Sequence, residues 1–160
     1  LGGWAELDQL AHHFVRYGLR DQSRGSTGLS RNEQEALAEF ADRSCFFVRS
    51  APHHLLLPQC SCFVHHGGSG TTHAALGAAC PAVITPIAFD QFYWADQVKR
   101  LGAGVGFDKP LPSITSTELA RAIRHADERC HEAAERISCR LATEDGAEKA
   151  ATTLDDFLMK

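Results

Sequence analysis

The sequence predicts an α/β domain in which helices flank a parallel sheet. Two observations predict this class. Short apolar runs typical of strands alternate with longer helical patterns from Cys45 onward, and a glycine-rich corner joins one such run directly to a helix. Because strand, loop and helix alternate along the chain, the strands are expected to lie parallel, with the connecting helices covering the sheet.

The N-terminal part of the chain predicts two helices separated by a polar loop. Apolar residues recur at helical spacing from Leu7 to Val15, so a helix is expected over residues 5–18. The stretch LRDQSRGSTGLSRNEQ that follows is polar and has no periodicity, which predicts a surface loop before a short acidic helix near residues 33–41. Residues 19–44 are therefore expected to form a polar insertion with a short helix.

The middle of the chain predicts alternating strands and helices. One apolar run passes through HHGGSGTTHAAL (65–76) into a helix that ends before Pro81. QFYWADQVKRL (91–101) predicts a second helix, which ends at Gly102 because glycine suits the left-handed position after a helix. The strand-like runs are CFFV (45–48), CFVH (62–65), AVIT (82–85) and the end of GAGVGF (102–107).

The last third of the chain is predicted to be helical. Thr115 and Glu118 have the spacing of a capping box, which marks the start of a helix carrying Leu119 and Ile123 on its apolar face. Two further helical segments are expected to close the chain, with a break around Gly146 in the stretch EDGAEK.

Composition and charge argue against two classes of protein, those that bind nucleic acid and those that span a membrane. The chain has 160 residues and a formal net charge of −4, without a long basic run, so nucleic acid is not an expected partner. No apolar stretch approaches the length needed to cross a bilayer. A cytoplasmic location is expected because the cysteines are expected to be free thiols in a reducing compartment.

The cysteines are expected to be free thiols. The chain has six, without the regular spacing of a disulfide framework, and a domain of this size does not need such links. Cys60 and Cys62 lie near His65 and His66, but their C-x-C spacing fits the usual zinc patterns poorly. Alternating positions of a strand beside a loop explain them better, so no metal is expected.

The glycine corner predicts a phosphate-binding site. A strand that leads through glycines into a helix collects backbone N–H groups at the positive end of the helix dipole, where anions bind. The corner lacks the lysine of a Walker A loop and the G-x-G-x-x-G fingerprint of dinucleotide sites, and a diphosphate fits it well. A tight turn with Thr71 or Thr72 as an ordinary N-cap is the alternative. The residues expected to face the phosphates are Gly67, Gly68, Ser69, Gly70, Thr71 and Thr72.

The two histidines of the corner are expected to differ. His66 is placed at the last position of the strand, where its imidazole could donate a hydrogen bond to an oxygen of a departing diphosphate. A core histidine satisfied by a backbone carbonyl is the alternative for His66, and the local sequence does not separate the two. His65 points to the other face of the strand and is expected to be structural.

Asp90 and Gln91 predict a site for sugar hydroxyls. They follow the strand-like run 82–85, so they are expected at the same carboxyl edge of the sheet as the glycine corner. A carboxylate beside a carboxamide can accept and donate hydrogen bonds as paired hydroxyls require. Asp90 could also be the N-cap of the next helix, and the two roles are compatible.

These residues carry a resemblance to a known family. The stretch APHHLLLPQCSCFVHHGGSGTTHAALGAACPAVITPIAFDQFYWADQVKRLGAGVG (51–106) resembles the donor-binding signature of family-one UDP-sugar glycosyltransferases, especially sterol glucosyltransferases and bacterial antibiotic-modifying relatives. EDGAEKA (144–150) is similar to the closing helix of that family, and GGW (2–4) to the end of an earlier strand.

The resemblance implies the C-terminal half of a GT-B fold, which is a Rossmann-like sheet that binds the nucleotide sugar. Residues 1–160 would then be one partial UDP-sugar-binding domain. The first strand and helix of that sheet, and the acceptor-binding domain, would precede Leu1. An incomplete sheet leaves an exposed edge, so the fragment is expected to be able to self-associate.

The resemblance also implies roles for individual residues. His66 and the segment from Gly67 to Thr72 would contact the diphosphate, and Asp90 with Gln91 would hold the hexose. Two further positions concern the nucleoside: Ser50 stands where plant members have a tryptophan that stacks on uracil, and Ala74 where they have a glutamate that binds ribose. Pro52 and His53 would lie beside the uridine.

The function implied by the resemblance is transfer of glucose from UDP-glucose to a sterol or similar lipid hydroxyl, with inversion and without a metal or other cofactor. The general base would be a histidine of the missing N-terminal domain, so the isolated chain is expected to bind UDP weakly and to be inactive. The whole protein could touch a membrane peripherally. Two alternatives stay open: another GT-B enzyme, such as a UDP-sugar epimerase or a cell-wall glycosyltransferase, and a non-catalytic nucleotide-sugar-binding module.

Overall fold

The computed structural model describes residues 30–46, 48 and 50–159. The chain divides into two compact units, residues 1–51 and residues 52–160, and each is described by itself. The helix predicted over residues 5–18 and the start of the polar insertion lie outside the described residues, as does GGW. The grouping of residues 1–160 into one domain stays a prediction.

The described part of the first unit consists mainly of helix α1, Arg31–Ser44. Its start is fixed by a capping box, in which the backbone N–H of Ser30 donates to Glu33 Oε2 at 2.8 Å and the backbone N–H of Glu33 donates to the Ser30 hydroxyl at 3.4 Å. The predicted short helix is thus confirmed, and it is longer at both ends than the predicted residues 33–41.

The strand predicted for CFFV (45–48) is wrong for the residues described. Cys45, Phe46 and Val48 adopt no strand conformation. Phe46 is 92% exposed and Val48 is 44% exposed, so neither side chain packs on a sheet. An apolar run makes a strand only where a neighbouring strand supplies hydrogen bonds, and local sequence does not reveal that.

The second unit contains the predicted parallel sheet. Its three strands run in the order β1-β2-β3, and both pairs are parallel. Val64 lies opposite Val83, and Val83 opposite Val105. Strand β2 is buried along its whole length, as expected for the centre of a parallel sheet. The strands are β1 Phe63–His65, β2 Ala82–Ile84 and β3 Gly104–Gly106.

The helices of this unit follow the predicted pattern closely. Helix α4 has the predicted bounds and ends at Gly102, whose φ of +69° closes it in the left-handed conformation. Helix α5 begins with the predicted capping box of Thr115 and Glu118. Gly146 is the first residue of helix α7, and the break before it spans residues 142–145. The helices are α2 His53–Leu56, α3 Ser69–Gly77, α4 Gln91–Leu101, α5 Ser116–Arg129, α6 His131–Leu141 and α7 Gly146–Leu158, with 3₁₀ turns at Leu57–Gln59 and Leu111–Ser113.

Helices cover both faces of the sheet. On one face, Ile84 packs with Ala75 of α3 and Val98 of α4. On the other face, Val83 packs with Ala122 of α5. Successive residues of β2 therefore point to opposite layers, as the twofold repeat of a strand requires.

None of the described helices is long and apolar enough to span a membrane.

All six cysteines are free thiols. Cys80 is buried, and burial, followed by the neighbouring Cys60 and Cys62, raises its thiol pKa to about 11, so this sulfur stays protonated. Among the described residues, no group of three or more His, Cys, Asp and Glu side chains could hold a metal ion. The expectation that no metal is needed stays a prediction.

Helix α4 packs directly on the backbone of β3 because Gly106 has no side chain. A Cβ added to Gly106 would collide with the backbone carbonyl of Ala95 in α4, and one added to Gly104 would collide with the backbone of Ala82 in β2. The close approach fixes α4, and with it the loop that precedes this helix, relative to the sheet.

We expect Gly106→Ala to destabilise the fold by about 1–3 kcal/mol, because the added methyl group overpacks the contact between β3 and α4. Gly77→Ala is the matched control, since Gly77 has nothing within 4 Å of an added Cβ. Urea unfolding followed by circular dichroism measures both variants. Equal midpoints for the two would contradict the close approach.

Candidate functional site

The residues predicted for the diphosphate and the hexose lie at one edge of the sheet. Strand β1 ends at His65 and leads through the glycine corner (66–68) into α3, and β2 ends at Ile84 and leads through a loop (85–90) into α4. Because the strands are parallel, both connections leave the carboxyl edge, where α/β folds bind their ligands.

Gly67 makes the sharp turn of the corner. Its φ of +95° is a conformation that side chains with a Cβ rarely adopt, and its N–H donates to Nδ1 of His65 at 3.1 Å. A Cβ at this position would lie 2.5 Å from Cγ2 of Ile84 and 3.1 Å from the backbone oxygen of Gln91. The corner therefore packs against both β2 and the start of α4, and only glycine fits.

Helix α3 begins without a side-chain cap. Gly68 is the N-cap residue and no side chain bonds to the first amides, so the alternative of a threonine N-cap is wrong. The first N–H groups of a helix have no partner within the helix, and at α3 they lie beside Ser69 and Gly70, which are exposed. Thr72 differs from the expected hydroxyl donors, because it is fully buried and its hydroxyl donates to the carbonyl of Gly68 at 3.0 Å.

His66 lies over the start of this helix. The strand ends one residue earlier than predicted, and the imidazole of His66 is packed so closely on Gly68 that a Cβ there would lie 2.7 Å from Nε2. The side chain is half-buried, and within residues 30–46, 48 and 50–159 its ring has no hydrogen-bond partner. The alternative of a core histidine satisfied by a carbonyl is therefore not supported.

His65 is buried, as the prediction of a structural role requires. Its side chain is 8% exposed, and its ring stacks on Phe63 with centroids 4.9 Å apart. Burial is the main cause that lowers the pKa of His65 to about 4, and the neighbouring His66 and His53 lower it further. The ring is therefore neutral near pH 7.

Gln91 holds the loop that precedes α4. Its Oε1 atom accepts the backbone N–H of Ile87 at 2.7 Å and of Ala88 at 3.1 Å, which leaves its NH₂ group to donate elsewhere. Asp90 is exposed and occupies the N-cap position of α4 without making a side-chain cap. Its Oδ2 atom accepts the indole N–H of Trp94 at 3.2 Å.

Phe89 shows that this loop is strained. It has a φ of +56°, rare for an aromatic residue, and its side chain is 92% exposed. The two hydrogen bonds from the loop to Gln91 help to maintain that conformation.

The residues expected at the uridine are placed only in part. His53 begins α2, and its ring meets the edge of Phe63 with centroids 5.8 Å apart, so His53 and His65 contact the same phenyl ring. Pro52 is the N-cap residue of α2. Ser50 belongs to the first unit.

Sequence reasoning missed the anchoring role of Gln91 and the contact between Asp90 and Trp94. The i,i+4 spacing of Asp90 and Trp94 on α4 was a usable signal, whereas nothing in the sequence indicated that the carboxamide oxygen turns back to the loop amides.

The cavity of about 640 Å³ beside β3 and α5 contains none of the predicted site residues. Its cationic lining residues are Lys99, Arg121 and Arg129.

A parallel sheet flanked by helices, with a glycine corner and a polar loop at its carboxyl edge, defines a Rossmann-like domain. Residues 28–156 match the model of the erythromycin biosynthesis protein CIII-like, C-terminal domain. The chain belongs to this family of glycosyltransferase C-terminal domains.

Individual relatives agree with this family. A sterol 3-beta-glucosyltransferase of Arabidopsis thaliana is 41% identical over 67% of this chain, and the vancomycin aglycone glucosyltransferase of Amycolatopsis orientalis is 35% identical over 82%. The crystal structure of the glycotransferase of kitacinnamycin matches 68% of the chain with a TM-score of 0.59 and 25% identity, which confirms the predicted fold class. The chain spans 16% of the sterol enzyme, 32% of the vancomycin enzyme and 28% of the crystallised chain.

We expect the stability of the fold to fall as the pH is lowered from 6.5 to 4. The folded chain keeps His65 neutral down to a pKa of about 4, whereas the unfolded chain protonates this side chain near 6.5, so acid favours unfolding across that window. The contribution of His65 is about 3 kcal/mol, from a pKa lowered from 6.5 to about 4 at about 1.4 kcal/mol per unit. Urea unfolding between pH 4 and 7 measures it.

The matched control for this pH dependence is His65→Asn, which lacks the titrating group at the same position. Its free energy of unfolding should fall less steeply over the same pH range. An identical slope in both proteins would show that other groups cause the loss.

Proposed function

We propose that this chain is the donor-binding domain of an enzyme that transfers glucose from UDP-glucose to a sterol or similar lipid hydroxyl with inversion. The observation that carries the proposal is the uncapped N-terminus of α3, which follows a corner where a Cβ on Gly67 or Gly68 would collide with its neighbours, at the carboxyl edge of the sheet. Such an arrangement suits a diphosphate, which needs several N–H donors close together.

The diphosphate would bind at the first turn of α3. The backbone N–H groups of Ser69, Gly70 and Thr71 have no partner within the helix, and the helix dipole favours an anion there. The hydroxyls of Ser69 and Thr71 can add hydrogen bonds. Thr72 would act differently, because its buried hydroxyl is used to hold the carbonyl of Gly68 and so supports the shape of the corner.

His66 would be the catalytic residue on the leaving-group side. As the bond from the anomeric carbon to the diphosphate breaks, negative charge grows on the departing UDP. The half-buried imidazole over Gly68 is free to donate a hydrogen bond to that charge, which lowers the barrier more than it stabilises the bound substrate. In this proposal, no metal ion is required for departure of the leaving group.

The hexose would bind at the loop before α4. The unused carboxylate oxygen of Asp90 can accept from one sugar hydroxyl, while the NH₂ group of Gln91 donates to the next. The loop lies close to the corner, since a Cβ on Gly67 would approach the backbone oxygen of Gln91. His53 and Pro52 are proposed for the uridine end of the donor.

The acceptor and the general base would come from the rest of the protein. The relatives that support a sterol or another aglycone as acceptor are several times longer than this chain, and inversion requires a base on the face of the sugar opposite the diphosphate. The resemblance to family-one enzymes supports a histidine of the other domain as that base. The isolated chain should therefore bind the donor without transferring its sugar.

We expect the folded chain to bind UDP in calorimetric titration, and His66→Ala and Thr71→Ala each to weaken binding by about tenfold or more. Each substitution removes a hydrogen bond to a charged phosphate, an interaction of about 1.5–3 kcal/mol. His54→Ala is the matched control, because His54 is exposed on the neighbouring short helix. Complete lack of UDP binding by the folded parent chain would refute the donor-binding role.

We also expect Asp90→Asn to lower the affinity for UDP-glucose without changing that for UDP, since only the sugar would reach this side chain. Asp96→Asn, on the exposed side of the same helix, is the matched control. Competition titration with both nucleotides gives the ratio of the two affinities. A parallel loss for UDP would instead place Asp90 beside the diphosphate.

A further inference from the structure

His65 makes a hydrogen bond that a residue with only a packing role in the core would not need. His65 Nδ1 accepts the N–H of Gly67, two residues further along the chain, at 3.1 Å. The bond spans the position where the chain leaves β1 and turns toward α3. It therefore acts on the shape of the corner itself.

This hydrogen bond sets the protonation of the imidazole. The N–H of Gly67 is the donor, so Nδ1 must carry no proton, and the single proton of the neutral ring lies on Nε2. A doubly protonated ring would present an N–H to the N–H of Gly67 and would break the bond. The titratable groups that face the ring, His66 and His53, carry no negative charge that would favour protonation.

The other ring nitrogen of His65, Nε2, shows that the hydrogen bond at Nδ1 is what this position needs from a histidine. Nε2 is buried and has no hydrogen-bond partner among the described residues, which is unfavourable for a polar atom. Packing against Phe63 alone would be served as well by an apolar ring. The acceptor at Nδ1 is thus the property of histidine that this position uses.

The bond also orients the peptide groups that follow. Gly67 has a φ of +95°, and with its N–H held by His65 the turn has one shape. That shape places Gly68 at the N-cap position of α3, so that the N–H groups of the first helical turn, which have no partner within the helix, are presented to a ligand. Without the acceptor, the N–H of Gly67 would need another partner and the corner could relax.

We infer that His65 is a positioning residue for donor binding: as the Nε2–H tautomer it accepts the Gly67 N–H and holds the corner in the shape that presents the α3 amides. The inference rests on the proposed function, because it assigns to His65 the geometry of the proposed diphosphate site. His65 itself does not touch the donor.

Three substitutions separate this role from simple packing. In His65→Asn, Oδ1 is reached from Cα through the same number of bonds as Nδ1, so the acceptor is retained; His65→Gln moves the acceptor one bond further, and His65→Leu removes it. We expect the Asn variant to bind UDP within about threefold of the parent, and the Gln and Leu variants to bind at least about tenfold more weakly. Thermal unfolding by circular dichroism confirms that each variant is folded.

Nuclear magnetic resonance of the parent chain tests the same inference without a variant. In ¹⁵N-histidine-labelled protein at pH 7, the shifts of His65 should show an unprotonated Nδ1 and a protonated Nε2, and the amide of Gly67 should be protected from hydrogen exchange. A protonated Nδ1, or equal UDP affinity in all three folded variants, would overturn the role of His65. Lack of UDP binding by a parent with the inferred tautomer would instead refute the proposed function, and with it the positioning role.

Discussion

The site depends on one steric constraint, which is the absence of Cβ atoms where β1 turns into α3. Gly67 is enclosed between the side chain of Ile84 and the backbone of Gln91, and Gly68 lies under the ring of His66. The same packing that excludes side chains from the corner also brings it against the loop before α4. The positions of the helix amides and of the loop that carries Asp90 are therefore set together by this packing.

The layers below the corner make this arrangement rigid. Strand β2 is buried along its length and sends Ile84 toward α3 and α4, and Val83 toward α5. Gly106 lets α4 rest directly on the backbone of β3, so this helix and the loop before it cannot shift without disturbing the edge of the sheet. A site that binds its ligand through backbone N–H groups needs such a support, because a small displacement of these donors removes most of the stabilisation that they give.

The sequence predicted those features that local chemistry determines. Helix α4 has the predicted bounds because its apolar spacing and the glycine that ends it, Gly102, are local signals that can be read from neighbouring residues. Helix α5 starts at the predicted capping box for the same reason. The features that sequence reasoning missed depend on tertiary neighbours. CFFV has the composition of a strand, and Thr72 has a hydroxyl that could serve a ligand or the backbone, but only the folded chain shows which partner each finds.

The two adjacent histidines separate a packing role from the anion binding that we propose for this site. One ring is buried, neutral and bonded to the chain, while the next is half-buried and keeps its polar atoms available. No lysine or arginine occurs in residues 65–72 or 85–91, so a bound diphosphate would be stabilised by backbone dipoles and by His66. Affinity would then depend on the shape of the corner more than on net charge, which is why a buried, uncharged residue such as His65 can control it.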